Sequence, residues 1–357
     1  MKRVVKTIIK VALALVLVGA ILVGVSFALG MRPWELWQGL ENATWPFSNI
    51  GFINYTGMRD WQNEYNEDGV YSVSAAGIKS LDLVWIAGNA EITAYDGDEI
   101  RFEETASGNI SKENALRWGI DGQKLCIQYC KSGSYRNVES KSIKVLVPAQ
   151  LAASMEKLGF DGSSADLQVS GLTAAEVNID GVSSTMRFDG DFNRLNADSA
   201  SGKIVIISRS GAELVDASSV SGDVEVYGNI TSAEADTTSG KVTFDGDFDD
   251  IDISTVSGKV TVNGAFFDAN IDTSSGSVSL ESTKQIREID VDTVSGGVTL
   301  YLPADGGFTV EYDTVSGDLR SNMSASQILK RDKVVYGDGS ASINISTTSG
   351  NLDINGQ

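Results

Sequence analysis

The sequence predicts an all-β fold: a β-solenoid (β-helix-like) with about 18–21 residues and two strands per coil, preceded by one N-terminal transmembrane helix. Three observations carry this reading. Ser-Gly recurs at 201–202, 221–222, 239–240, 257–258, 275–276, 295–296, 316–317 and 349–350. Short runs of alternating apolar and polar residues flank these pairs, the period of a strand with one buried face. Glycine is abundant (37 residues) and proline rare (4), which favours many tight corners over proline-broken loops.

Residues 1–10 carry Lys2, Arg3, Lys6 and Lys10 and no acid, and read as a basic cytoplasmic tail. Residues 11–30 read as a transmembrane anchor, because Val11 to Leu29 is 19 residues without a charge. That length spans a hydrocarbon layer of ~30 Å at ~1.5 Å per residue. Basic residues stay on the cytoplasmic side, so the C-terminal domain of this single-pass cell-membrane protein is expected to be extracellular. The alternative is a signal peptide cleaved after Ala28, with Ser26-Phe27-Ala28 as its small-x-small site. Residues 31–74, with Trp34 and Trp37 placed for a membrane interface, read as a juxtamembrane stalk or N-terminal cap.

Residues 75–357 read as the β-solenoid repeat domain. It opens with the strongly alternating IKSLDLVWIAGNAEITAYDGDEIRFEE (78–104), and SIKVLVPAQL (142–151) is a strand ended by Pro148. Between them, Leu125, Ile127 and Tyr129 alternate as a strand that sets Cys126 and Cys130 on its other face. Four strand residues cover about 13 Å, whereas a disulfide needs Cα atoms about 4.4–6.8 Å apart. Two half-buried structural thiols are therefore expected. There is no His, so no Cys/His metal site can form.

Aligning the repeats on glycine exposes two strands in each. After the glycine come pairs such as Val224/Val226, Val242/Phe244, Val260/Val262 and Val278/Leu280. Before it come Val215/Ala217, Ile251/Ile253, Ile289/Val291, Val310/Tyr312 and Ile343/Ile345. Asp189-Gly190, Asp245-Gly246 and Asn263-Gly264 read as turns between the two strands. Equivalent positions match from repeat to repeat, so each coil is expected to stack on the one before it at ~4.8 Å per rung, each supplying core to its neighbour. Glycine at a corner provides a left-handed or otherwise cramped backbone. The last gap, 33 residues between Gly317 and Gly350, holds an insertion with a short helical or looped piece around Ser326 to Arg331.

These stretches, the D-T-V-S-G-x-V repeats and the closing YGDGSASINISTTSGNLDING resemble the bacterial putative-adhesin family with a β-strand-repeat domain of unknown function, over roughly residues 75–357. The resemblance implies a β-helix-like fold, often behind a membrane anchor in Gram-positive bacteria, and for some members an association with cell-envelope stress systems. It supplies no catalytic or binding residues.

Charge singles out one face. The first 30 residues hold four basic groups and no acid, and the remainder holds 24 basic against 48 acidic groups, a net of −24. Such a surface repels nucleic acid and anionic headgroups. The outward positions six and four before the repeat glycine are rich in carboxylates. Among them Asp216, Glu234, Asp236, Asp252, Asp272, Asp290, Asp292 and Asp313 form the candidate partner-binding face. The outward positions of the other strand hold Lys203, Lys241, Lys259, Thr243, Thr261 and Ser279, a neutral-to-basic face. Stacked carboxylates repel by about 1 kcal/mol per close pair in water. Their retention points to a partner (an envelope or membrane protein, or a cell-wall polymer), to divalent cations, or to solubility alone.

FDGDFNRL (188–195) and FDGDFDDI (244–251) lack both the calcium nonapeptide pattern and the EF-hand's bidentate Glu. Without His the usual nucleophilic triads are excluded. No carboxylate stands out from its column as a glycosidase pair would require. The reading is therefore non-enzymatic and without a cofactor: a binding or scaffolding surface at the cell envelope. An adhesin for external surfaces and a carbohydrate-active β-helix enzyme are the rivals.

Overall fold

The computed structural model describes residues 58–61, 65–132, 140–330 and 333–357. The expected basic tail, the anchor or signal peptide, and residues 31–57 lie outside the described residues. Among the described residues no helix is long and apolar enough to cross a membrane.

The described residues form one 23-stranded hydrogen-bonded sheet wound into coils. Its first part comprises β1 (Val70–Ser74), β2 (Ser80–Tyr95), β3 (Glu99–Ala106), β4 (Arg117–Asp121), β5 (Lys124–Gln128) and β6 (Lys141–Pro148). A single helical turn, α1 (Ala149–Ala152), follows Pro148. The regular array comprises β7 (Met155–Gly181), β8 (Met186–Ser199), β9 (Ile204–Ser208), β10 (Ala212–Ser219), β11 (Val224–Thr237), β12 (Val242–Thr255), β13 (Val260–Ala265), β14 (Asp268–Thr273), β15 (Val278–Ser282), β16 (Glu288–Thr293) and β17 (Val298–Leu302). The last part is β18 (Phe308–Thr314), β19 (Leu319–Ser321), β20 (Gln327–Lys330), β21 (Lys333–Tyr336), β22 (Ala341–Thr347) and β23 (Leu352–Gly356).

Successive coils pair in parallel and in register. Val242, Val260, Val278 and Val298 align on a first wall. Ile251, Ala269 and Ile289 align on a second. Inward residues of the two walls meet in a continuous core. One coil contributes Val260, Val262, Ala269 and Ile271, all at most 3% exposed. Each buried Val or Ile is worth about 1.5–3 kcal/mol, but only while its neighbours above and below close the stack.

The two corners use glycine differently. At the expected Asx-Gly turns the chain does not leave the ladder. β11 and β12 run through Gly228 and Gly246 with unbroken register, and the strands bend there because Gly228 and Gly246 hold φ at 115° and 153°. The Ser-Gly corners contain no left-handed glycine. Their constraint is space: a Cβ on Gly258 would sit 1.9 Å from the carbonyl oxygen of Gly240 one coil earlier, and the same clash recurs at Gly240 and Gly276. The buried hydroxyl of Thr255 accepts the N–H of Gly258 at 2.9 Å. Ser199, Ser219, Thr237, Thr273 and Thr293 do the same for their glycines.

Coil order in space departs from the expected stacking of each coil on its predecessor. The last coil in the chain, β22–β23, lies between β16–β17 and β18–β19. Like-charge stacking gives a reason. Direct contact would set Glu311 over Asp290 and Asp313 over Asp292, whereas the inserted coil interposes Asn344 and Ser346. At the other end β5 and β6 follow β2 in sequence but sit on its outer side, while β7 takes the inner side.

Both ends are closed by antiparallel strands, the expected protection for an open edge. At the N-terminal end β3 pairs with β6, β1 with β3, and β4 with β5. This cap is pinned by a buried ion pair, Lys141 Nζ to Glu104 Oε2 at 2.7 Å, with both side chains at most 3% exposed. Lys141 also donates to the Asn114 carbonyl at 2.6 Å, and the Leu116 N–H donates to Glu104 Oε1 at 2.9 Å. At the C-terminal end β21 pairs antiparallel with β18 and β20 with β21. Gln327–Lys330 of the expected helical or looped piece is thus strand β20, because its backbone completes the cap, while Arg331 lies outside the described residues. Cys126 is half-buried and Cys130 buried, and both are free thiols. Cys130 lies in the core, whereas Cys126 lies outside it near Asp82 and Lys124.

Candidate partner-binding face

The parallel register of the second wall converts a sequence bias into two columns of side chains. One runs through Asn196, Asp216, Glu234, Asp252, Asn270, Asp290, Asn344 and Glu311. The adjacent column runs through Asp180, Asp198, Ser218, Asp236, Ser254, Asp272, Asp292, Ser346 and Asp313. All eight predicted residues stand on this one wall. Glu234, Asp236, Asp252 and Asp313 are exposed, and Asp216, Asp272, Asp290 and Asp292 are half-buried.

Neutral residues separate many of the charges. Ser218 stands between Asp198 and Asp236, and Ser254 between Asp236 and Asp272. The side-chain amide of Asn270 donates to Asp252 Oδ1 at 3.2 Å. Where no spacer intervenes, burial and like charge act together. The carboxyl of Asp180 is pushed up to about 7, first by burial and then by the charges of Asp161 and Asp198. Desolvation against the packed wall leads the upward shifts of the half-buried Asp161, Asp198 and Asp216, and of Glu234, Asp236 and Asp252 on its more exposed part. These carboxyls therefore hold their protons more tightly than free ones, chiefly because the wall desolvates them.

Asp161 and Asp180 extend the acidic column beyond the predicted set. Both precede a glycine, as Asp161-Gly162 and Asp180-Gly181. Ser184 stands beneath Gly202 at the corner four residues after Asp180, so an alignment admitting Ser-Ser at that corner would have found Asp180. The outer side of the first wall is different in kind: Lys203 pairs with Glu225 at 2.9 Å, and Lys241 and Lys259 are exposed. Among the described residues no group of three or more His, Cys, Asp or Glu is arranged to hold a metal ion. The second wall can thus offer a row of acceptors to cationic or hydrogen-bond-donating groups, and it holds no nucleophile–base pair.

Several solved structures are similar to this chain, three of them as follows. A putative cell adhesion protein from Clostridium sporogenes ATCC 15579 is 11% identical, with 81% of this chain and 98% of that chain covered and a TM-score of 0.21. A putative adhesin from Parabacteroides distasonis ATCC 8503 is 12% identical, with 80% and 98% covered and a TM-score of 0.45. A putative adhesin from Bacteroides fragilis NCTC 9343 is 13% identical, with 80% and 95% covered and a TM-score of 0.33. No curated protein matches the chain. The Toastrack DUF4097 family profile matches residues 78–355, from the start of the alternating strands to the final coil, and the chain belongs to that family.

Proposed function

We propose that this protein is a membrane-anchored, extracellular scaffold of the bacterial cell envelope, serving envelope-stress defence, whose second wall docks a partner. The observation that carries the reading is the pair of in-register carboxylate columns. The parallel stack sets Asp216, Glu234 and Asp252 on consecutive rungs, and Asp272 beside Asp292, about 4.8 Å apart, at a cost that only an opposing cationic surface or solvation offsets. The uncharged run Val11 to Leu29 supports the anchor, and a docking wall without a nucleophile–base pair supports a non-enzymatic role. The partner class is an envelope or membrane protein with a basic, donor-rich face.

The test is in-cell cross-linking of the full-length tagged protein, followed by identification of the attached molecules. Recovery of one discrete membrane or sensor protein is the expected result. Replacing Asp252, Asp272, Asp290 and Asp292 with Asn should reduce its capture several-fold and leave the circular dichroism spectrum unchanged. Unchanged capture by the folded variant would overturn the acidic-face docking site. Recovery of wall polymer alone would instead favour the adhesive reading.

A further inference from the structure

A second surface feature lies at the bend between the walls, away from the acidic columns. There the structure forms an open cleft of about 280 Å³, near the lower end of ligand-pocket volumes, and it crosses five coils from Gly211 to Lys284. Register defines its sides. Thr231, Asp249 and Phe267 are 18 residues apart on consecutive rungs, and Asn229, Asp247 and Ala265 form a parallel row. The small Ala265 leaves the hollow, and Lys284 reaches back across it to Asp247 at 3.5 Å. Phe248 and Phe266 on the same rungs point into the core at 3% and 1% exposure, but Phe267 is 40% exposed.

We propose that this cleft is a saccharide subsite, in which the C–H face of a pyranose ring lies on Phe267 while Asn229, Thr231, Asp247 and Asp249 hydrogen-bond its hydroxyls. Three features favour a sugar. An exposed aromatic ring flanked by side chains that both donate and accept matches a ligand with one apolar face and a rim of hydroxyls. The row of Thr231, Asp249 and Phe267 offers repeated contacts along one line, as a linear glycan presents repeated units. An extended peptide, by contrast, binds a sheet through free backbone groups. The strands beneath the cleft are paired on both sides, so those groups are already used. One lysine against two carboxylates leaves the cleft with a single net negative charge, less than the acidic wall carries.

The proposal assigns a wall or capsule glycan to a site separate from the acidic face, and its test separates the two. The full-length chain in detergent micelles is titrated calorimetrically with two probes, a β-1,4-linked N-acetylglucosamine hexamer and cellohexaose. At least one should bind. Phe267→Ala should weaken that binding at least ten-fold, Phe267→Trp should restore it, and Asp249→Ala should weaken it several-fold. The Asn variant at 252, 272, 290 and 292 should bind the sugar as the parent does. Phe267 is at the surface, so its replacement leaves the core intact. Absence of binding by both sugars, binding insensitive to Phe267→Ala, or displacement of the sugar by a lysine-rich peptide would each overturn the subsite. None of these outcomes would change the capture measured for the acidic wall.

Discussion

At the residue scale the corner is decided by what cannot fit. The repeated Ser-Gly invites attention to serine, yet Ser257 Oγ reaches only the Thr238 carbonyl, at 3.4 Å and exposed. Gly258 and the buried Thr255 hydroxyl carry the corner instead. Gly258→Ala would push a methyl group against the Gly240 carbonyl oxygen and is expected to cost about 2–3 kcal/mol. Thr255→Val strands the Gly258 N–H without its acceptor and should cost about 1–3 kcal/mol. Ser257→Ala should be close to neutral. Urea unfolding of the three variants orders them, and equal loss for Ser257→Ala and Gly258→Ala would contradict the packing account. Asp180 is the residue where the acidic column is most strained. Asp180→Asn should raise the melting temperature at about pH 8 and leave it nearly unchanged at about pH 4, where the native carboxyl is already protonated.

At the element scale the key piece is the final coil. β22 and β23 fill a slot between β16–β17 and β18–β19, so the chain reaches β18 before the rung that supports it exists. Stability of stacked coils is close to a sum of neighbour terms. Removing residues 341–357 should therefore deprotect β18 to β21 in hydrogen exchange and leave β9 to β15 protected. A synthetic peptide covering 341–357, added to the shortened chain, should restore protection of β18. Protection of β18 without the peptide would mean that the coil docks directly on β16, against the charge argument. The opposite cap rests on Lys141. Lys141→Met leaves Glu104 buried without its partner, a change expected to cost about 3–5 kcal/mol.

At the scale of the whole molecule the acidic wall sets the response to pH. Carboxyls whose folded-state proton affinity is raised contribute stability that is fully present below their unfolded pKa and is lost as pH rises through the folded value. For Asp180 that window runs from the ordinary carboxylate range up to about 7, and Asp161, Asp198, Asp216, Asp236 and Asp252 shift in the same direction. Thermal unfolding is thus expected at higher temperature at about pH 5 than at about pH 8. Added salt should narrow the gap by screening the columns. A melting temperature that rises steadily from pH 5 to 8 would contradict the shared upward shift of these groups.

Much of this was legible in the sequence, because a coil's periodicity is local. Alternation set which residues of each strand face the core, as with Val260, Val262 and Ile271, and equal spacing implied a parallel stack. The same alternation placed Asp216 through Asp313 on one outer wall, since a period of two leaves no other choice. Asp161 and Asp180 escaped because their corners carry no Ser-Gly signal. The rest depended on contacts distant in the chain. The interposed final coil, the outward position of β5 and β6, and the cap strand at 327–330 all depend on which like charges and open edges meet. The hollow at Phe267 likewise arises only when Ala265, Asp249 and Lys284 arrive on neighbouring rungs. The sequence by itself determined the coil and its polarity, because both follow from local spacing. Only the tertiary structure decided the order of the end coils and where the surface is hollow, because stacking energies depend on which rungs become neighbours.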